Sequence, residues 1–206
     1  MEANVSGEGH EHGSHDHGRD TRSRLRELAL ELFAEQGYEK TSLREIAERL
    51  GVTKAALYYY FRSKEDIVRS LVEDYVAELD KLIDWAKNQP KSAQTRAEIV
   101  TRYLDIVSNG TAVFRMLQQN QAAVAGLASA KERGELFRER MDALVDLLTE
   151  PGATLREQVR AASCLVGVSH GCMLYQHRAA DPGELRDALL DVALELVNGQ
   201  PLPQRS

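Results

Sequence analysis

The chain has 206 residues, 43% of them hydrophobic and 28% charged, with a formal net charge of −6; that length suits one large domain or a small head on a larger body. It has no apolar run of the roughly 18 residues that a membrane-spanning helix needs, and its start, MEANVSGEGHEHGSHDHG, has neither the basic beginning nor the apolar stretch of a signal peptide, so the expected location is the cytoplasm. Charge is unevenly placed: residues 1–18 carry −4, residues 19–65 carry +2 and residues 66–206 carry −4, which makes a short segment near the start the one part suited to a polyanion.

Residues 1–19 are rich in His, Gly and Asp, lack apolar periodicity and read as a disordered tail. Within it His10, His12, His15 and His17 have the His-x-His spacing that chelates zinc, nickel or copper. A metal buffer, a metal-sensing segment and an inert extension all fit, since ordering a flexible tail costs entropy. From Thr21 the pattern turns helical, with Leu25, Leu28, Ala29, Leu32 and Phe33 at three-and-four spacing and a stop at Gly37. Ser42 and Glu45 form a capping box for a second helix that ends at Gly51. Thr53 caps a third and Ser63 a fourth, the latter with Glu65 and Asp66 in its first turn, where negative charge suits the helix dipole. The fourth continues through Ile67, Leu71, Tyr75, Leu79, Leu82, Ile83 and Ala86. Further helices are expected over about 93–108, 111–119, 121–149 with a break near Gly126 or Gly134, 154–178 and 184–198. The fold class is therefore all-α, about nine helices in two parts. A helix-turn-helix head is expected over 20–66, a larger helical part over 67–200 and a flexible tail over 201–206.

Two short helices joined at Gly51 and braced by a preceding one form a helix-turn-helix, whose second helix enters the major groove. Residues Tyr58 to Phe61 are all aromatic and cannot share one helix face. With Leu57, Tyr60 and Phe61 inward, Thr53, Lys54, Ala55, Tyr58 and Tyr59 occupy the outer face and the N-terminal end, where hydroxyls and a lysine reach phosphates or base edges and a small Ala55 permits close approach. Arg44, at the start of the second helix, is placed to reach a phosphate or a guanine edge, and Lys64, at the start of the fourth, to clamp the DNA backbone. Half-buried tyrosines and solvated charges on a helix-turn-helix that binds no DNA are the alternative.

The stretch from Arg24 to about Val72, including ALELFAEQGYEKTSLREIAERLGVTKAALYYYFRSKEDIVRSLVE, resembles the DNA-binding head of the TetR family of transcriptional regulators (TetR/AcrR type). The resemblance rests on Phe33, Gly37-Tyr38, Thr41-Ser42, Ile46-Ala47, Gly51-Val52, Leu57-Tyr58, Tyr60-Phe61 and Ser63-Lys64-Glu65 at the family's spacings. It implies a homodimer, usually a repressor, that binds a palindromic operator and releases it when a small molecule occupies the C-terminal part. It also implies that Ser42, Arg44, Thr53, Lys54, Ala55, Tyr58, Tyr59 and Lys64 fall where the family meets DNA. Tyr59 departs from the pattern, since histidine is frequent there, which puts base preference in doubt.

In the C-terminal part, Leu185, Leu189, Val192, Leu196 and Val197 form an apolar stripe near the chain end, and Gly167 and Gly171 a small-residue seam. Helices 154–178 and 184–198 are accordingly the expected dimer pair, packing within one subunit being the alternative. A pocket between the middle helices and 154–178 would draw on Tyr103, Phe114, Leu117, Cys164, His170, Met173, Leu174 and His177, with Trp85 and Met116 nearby. That mixture suits a lipophilic or aromatic effector, although core packing explains each residue singly. Cys164 and Cys172, roughly 12 Å apart along one helix, cannot pair within it and read as reduced. No phosphate loop, nucleophile elbow or His-Glu-x-x-His run occurs, so no enzyme and no cofactor is expected. The expected partners are an operator duplex, a small-molecule effector and a second copy of the chain; a metal-responsive regulator or metal-binding protein working through the His-rich tail is the alternative.

Overall fold

The computed structural model of the protein describes residues 14–120, 130–175 and 181–199. Among these residues lie eight α-helices and no strand: α1 (Ser14–Gln36), α2 (Leu43–Leu50), α3 (Lys54–Tyr60), α4 (Lys64–Lys87), α5 (Ala93–Gln119), α6 (Ala130–Leu148), α7 (Leu155–Tyr175) and α8 (Pro182–Asn198). The chain divides into two units, Met1–Ile67 and Val68–Ser206, with the boundary in the first turn of α4.

Two helical expectations shift. α1 begins at Ser14 rather than Thr21, so helical backbone covers part of the stretch expected to be disordered. Apolar spacing reports only the portion of a helix with a buried side, and the first buried side chain of α1 is Leu25. α5 runs unbroken through Asn109 and Gly110, where two helices were expected. A Cβ on Gly110 would lie 2.6 Å from ring carbons of Tyr75; the glycine serves close packing of an aromatic ring and does not end the helix.

In the first unit each helix end is fixed locally. Gly37 leaves α1 with φ 93°, a left-handed conformation open to glycine. The Ser42 side chain accepts from the Glu45 N–H, the Thr53 side chain from the Ala56 N–H, and Gly51, at φ 73°, returns its own N–H to α2. Leu25, Ala29, Leu32 and Phe33 of α1 supply a common core with Ile46 and Ala47 of α2, Leu57 of α3, and Phe61 and Ile67 beyond it. Buried Thr41 donates its hydroxyl to the carbonyl of Gly37 at 2.9 Å, satisfying a polar group that would otherwise be stranded.

The α1–α2 turn is tied to the start of α4. Tyr38 packs on Phe33 with ring centroids 5.0 Å apart and donates its hydroxyl to Glu65 Oε1 at 2.8 Å. Lys64 Nζ lies 4.4 Å from the centre of the Tyr38 ring and donates to the Tyr38 carbonyl at 2.6 Å. Burial, then the bond to Glu65, pushes the Tyr38 phenol well up, while the Glu65 backbone N–H, then the Tyr38 hydroxyl, holds the Glu65 carboxyl below its usual value.

In the second unit α8 packs on α7 and α5, and α6 packs on α7. Their shared core includes Leu79, Ile83, Ile99, Leu104, Leu144, Leu165 and Val168. Arg140 pairs with Asp80 at 2.7 Å and Arg186 with Asp105 at 2.8 Å. Asp181 caps α8 by accepting from the Gly183 N–H.

Because the Glu65 pKa is depressed in the folded head, its contribution is present above the ordinary carboxylate pKa and is lost as pH falls through the folded value. Tyr38→Phe should therefore lower the protection of α2 and α3 amides by about 1 kcal/mol at neutral pH, measured by hydrogen exchange. The gap to wild type should narrow on acidification below about pH 4.

Candidate nucleic-acid interface and small-molecule cavity

A helix of seven residues has few ways to satisfy its core, and α3 uses Leu57, which is fully buried, followed by Phe61 at its C-cap, 2% exposed. Successive side chains turn by about 100°. Fixing Leu57 inward thus sends Ala55, Tyr58 and Tyr59 outward, while Thr53 and Lys54 are open to solvent because they stand at the N-terminal end of the helix; all five are exposed, Tyr59 at 83%. Tyr60 is half-buried and meets the Tyr59 ring edge-on at 5.1 Å. Lys54 Nζ stands 5.5 Å from the centre of the Tyr58 ring. The result is one exposed surface of two phenols, a hydroxyl, a methyl and an ammonium on a capped helix following a tight turn.

The other named head residues take different positions. Ser42 is exposed, its oxygen engaged as the α2 cap. Arg44 is exposed on α2 and donates through Nε to Glu48 Oε1 at 2.7 Å, an i,i+4 pair that solvent screens. Lys64 is only half-exposed: its ammonium donates to the carbonyls of Tyr38 and Glu39 at 2.6 and 3.4 Å. Two of its three hydrogens are used inside the head, so its role there is first to brace the turn.

Within the second unit a cavity of about 280 Å³ opens among α4, α5, α6 and α7. One wall is aromatic: Tyr75 and Phe114 meet edge-to-face at 4.7 Å, and Phe137 sits 5.9 Å from the first and 5.7 Å from the second. Val107, Met141, Val166 and Met173 add aliphatic and thioether surface. Four further polar groups are those of Tyr103, Thr111, Ser169 and His170. Burial pushes the Tyr75 phenol well up and the Tyr103 phenol up to about 12, so both stay neutral at physiological pH.

Of the residues singled out in the sequence, Tyr103, Phe114, His170 and Met173 meet in this cavity. The others do not. Cys164 is buried against α8 and donates its thiol to the Ala193 carbonyl at 3.5 Å, burial raising its pKa to about 11. Leu117 is half-buried away from the cavity, and Leu174 is 60% exposed. Met116 is buried in the core, and Trp85 lies beneath Arg102, whose guanidinium is 4.0 Å from the ring centre. His177 lies outside the described residues, as do His10 and His12 and the side chains of His15 and His17. Among the described residues no group of three or more His, Cys, Asp or Glu is gathered to hold a metal. Sequence reasoning missed Tyr75 and Phe137, whose spacing matched ordinary core positions; the signal available was Gly110, a glycine inside a helix opposite a large ring.

The α8 stripe turns out to face mostly inward. Val197 is buried and Leu185, Leu189 and Leu196 are half-buried, because α8 lies against α5 and α7; Val192 is the exposed member, at 57%. The glycine seam divides in the same way. Gly171 accommodates the Leu189 side chain of the same chain, whereas a Cβ on Gly167 would meet open space. Outward apolar surface comes chiefly from α7, through Leu155, Val159, Val166, Leu174 and Tyr175.

Residues 25–71 match the family model described as bacterial regulatory proteins, tetR family. An uncharacterised HTH-type transcriptional regulator of Bacillus subtilis, YuxN, is 26% identical over 183 residues, covering 84% of this chain and 62% of that protein. The HTH-type transcriptional repressor KstR2 of Mycobacterium tuberculosis is 32% identical over 97 residues, 47% of this chain and 38% of the repressor. Its solved structure, described as a ketosteroid transcriptional regulator, aligns over 86% of this chain and 93% of its own with a TM-score of 0.63 at 17% identity. PfmR of Thermus thermophilus, a TetR-family regulator, aligns over 87% of this chain and 100% of its own with a TM-score of 0.66 at 19% identity. The chain thus spans less than two thirds of the length of these curated relatives, while the structural likeness extends over most of both chains and concerns the fold.

Gly110→Ala should push a methyl into the Tyr75 ring and destabilise the second unit by about 1–3 kcal/mol. Thermal denaturation would measure the loss, and Tyr75→Leu in the same background should recover most of it.

Proposed function

We propose, from the match of residues 25–71 to the family model of bacterial regulatory proteins, tetR family, and from the likeness to the repressor KstR2, that this chain is a ligand-responsive transcriptional regulator. It acts as a repressor, binding a palindromic operator as a homodimer and leaving it when a small lipophilic or aromatic effector fills the cavity. The observation that carries this reading is the outward surface of α3, where polar and aromatic side chains stand exposed around an anchored Leu57. Direct readout fits that surface: the Tyr58 and Tyr59 hydroxyls and Lys54 reach base edges or phosphates, and Ala55 can touch a thymine methyl.

Exposed Leu155, Val159, Val166 and Leu174 on α7 and Val192 on α8 support the dimer, since a continuous apolar ridge on a helix calls for a cover. A two-fold pair places two recognition helices on successive major grooves, about 34–36 Å apart. The aromatic wall of the cavity and the ketosteroid description of KstR2 support a lipophilic effector. Release is a population shift. α4 belongs to both units, so an effector that favours one arrangement of the second unit biases the spacing of the two heads.

Fluorescence anisotropy on duplexes flanking the gene, against a shuffled duplex, tests the reading. Two chains per site and a clear preference for the native duplex are expected; equal affinity for both across the flanking region would contradict it. Lys54→Ala and Tyr59→Ala should change sequence preference as well as affinity, each by about 1–3 kcal/mol at a contacted base pair. Lys64→Ala should weaken binding to all sequences alike and also loosen the turn that its ammonium holds. Equal losses on operator and random DNA for all three would remove α3 as the recognition helix.

A further inference from the structure

The hydrogen-bond inventory of the cavity is lopsided. The Ser169 hydroxyl donates to the Leu165 carbonyl at 2.8 Å. Since that uses its single hydrogen, the 2.6 Å contact between Tyr103 and Ser169 has Tyr103 as donor. The Thr111 hydroxyl donates to the carbonyls of Val107 and Ser108, at 2.9 and 3.0 Å. His170 Nδ1 faces the Val166 carbonyl at 3.2 Å and donates to it, which in the neutral ring makes Nε2 the acceptor. Three hydroxyl hydrogens and one imidazole hydrogen are thus spent on the protein, while the oxygens of Tyr103 and Thr111 and His170 Nε2 keep acceptor capacity. Tyr75 Oη, with no partner among the described residues, holds the one unspent hydroxyl hydrogen. No Lys, Arg, Asp or Glu is among the described lining residues.

We propose that this cavity selects an uncharged aromatic ligand that donates a hydrogen bond, of the phenol or aryl-alcohol class, and rejects carboxylates of the same shape. The proposal rests on the effector reading above and narrows it. A carboxylate brings only acceptors and a full charge, and meets one hydroxyl donor and no Lys or Arg among the described lining residues, so its desolvation goes uncompensated there. A hydroxyl-bearing ring system meets several acceptors at once, and its flat faces match the wall of Tyr75, Phe114 and Phe137. Size points the same way: an apolar cavity of about 150 Å³ holds one benzene ring, so 280 Å³ suits roughly two fused rings.

The test is calorimetric titration of the full-length protein with 2-naphthol, 2-methoxynaphthalene and 2-naphthoate. 2-Naphthol should bind at least about tenfold tighter than its methyl ether, and 2-naphthoate should bind weakest. Ser169→Ala removes the acceptor that occupies the Tyr103 hydrogen. It should turn that hydrogen into the cavity and bring the naphthol-to-ether ratio down toward unity. If that variant does not fold, Tyr103→Phe should weaken 2-naphthol while leaving the ether unchanged. Binding of 2-naphthoate as tight as 2-naphthol, equal binding of naphthol and ether to wild type, or no binding of any of the three would each overturn the proposal. The same preparation assayed for operator binding without ligand keeps this outcome separate from failure of the regulator reading, which loss of operator binding alone would indicate.

Discussion

Burial of Leu57 and Phe61 against α1 and α2 is the constraint on which the head depends. α3 is seven residues long and too short to hold its own conformation in water. Its rotation about its axis is set by which side chains reach the core, and Leu57 with the C-cap Phe61 allows one answer. The exposure of Ala55, Tyr58 and Tyr59 follows from that rotation, Tyr59 reaching 83% in a chain that buries Tyr38 and Tyr103 to 2%. Large exposed rings are costly in water unless something covers them, and stacking against sugar or base edges is cover of the right chemistry. The overall charge of −6 is compatible with this, because the basic excess is confined to the segment that folds into the head.

The second unit applies the opposite strategy. Its helices leave a cavity lined by rings and methionines, in which the hydrogens of the Tyr103, Thr111 and Ser169 hydroxyls are already taken and that of Tyr75 is not. Gly110 is the local device that makes room: without a Cβ on α5, the Tyr75 ring can approach the helix closely and form one end of the aromatic wall. What distinguishes the cavity is the direction of a few O–H bonds, and the ligand selectivity proposed for it rests on them.

These two regions differ in how far the sequence reveals them. The face of α3 could be read residue by residue, because caps at Ser42, Thr53 and Gly51 fix the register and the 100° rotation does the rest. The cavity could be read only in part. Met173 and Cys164 have the same apolar character and lie on one helix, yet one lines the cavity and the other bonds to the Ala193 carbonyl of α8, a distinction set by tertiary packing alone. Leu185, Leu189, Leu196 and Val197 illustrate the same point: an apolar stripe announces that something covers it, and here α5 and α7 of the same chain do so. Gly110 misled because a glycine that ends a helix and one that admits a neighbouring ring look alike in one dimension.

The proposed regulation requires coupling between the α3 face proposed to read DNA in one unit and the cavity proposed to take the effector in the other. The most direct measurement is the affinity of the full-length protein for its operator duplex, by anisotropy, without and with saturating 2-naphthol. A ligand that favours the wrong spacing of the two heads by about 2.8 kcal/mol lowers operator affinity roughly a hundredfold, and a fall of that order is the expected result. Unchanged operator affinity with the cavity demonstrably filled would show that the two units act independently, and would contradict the account.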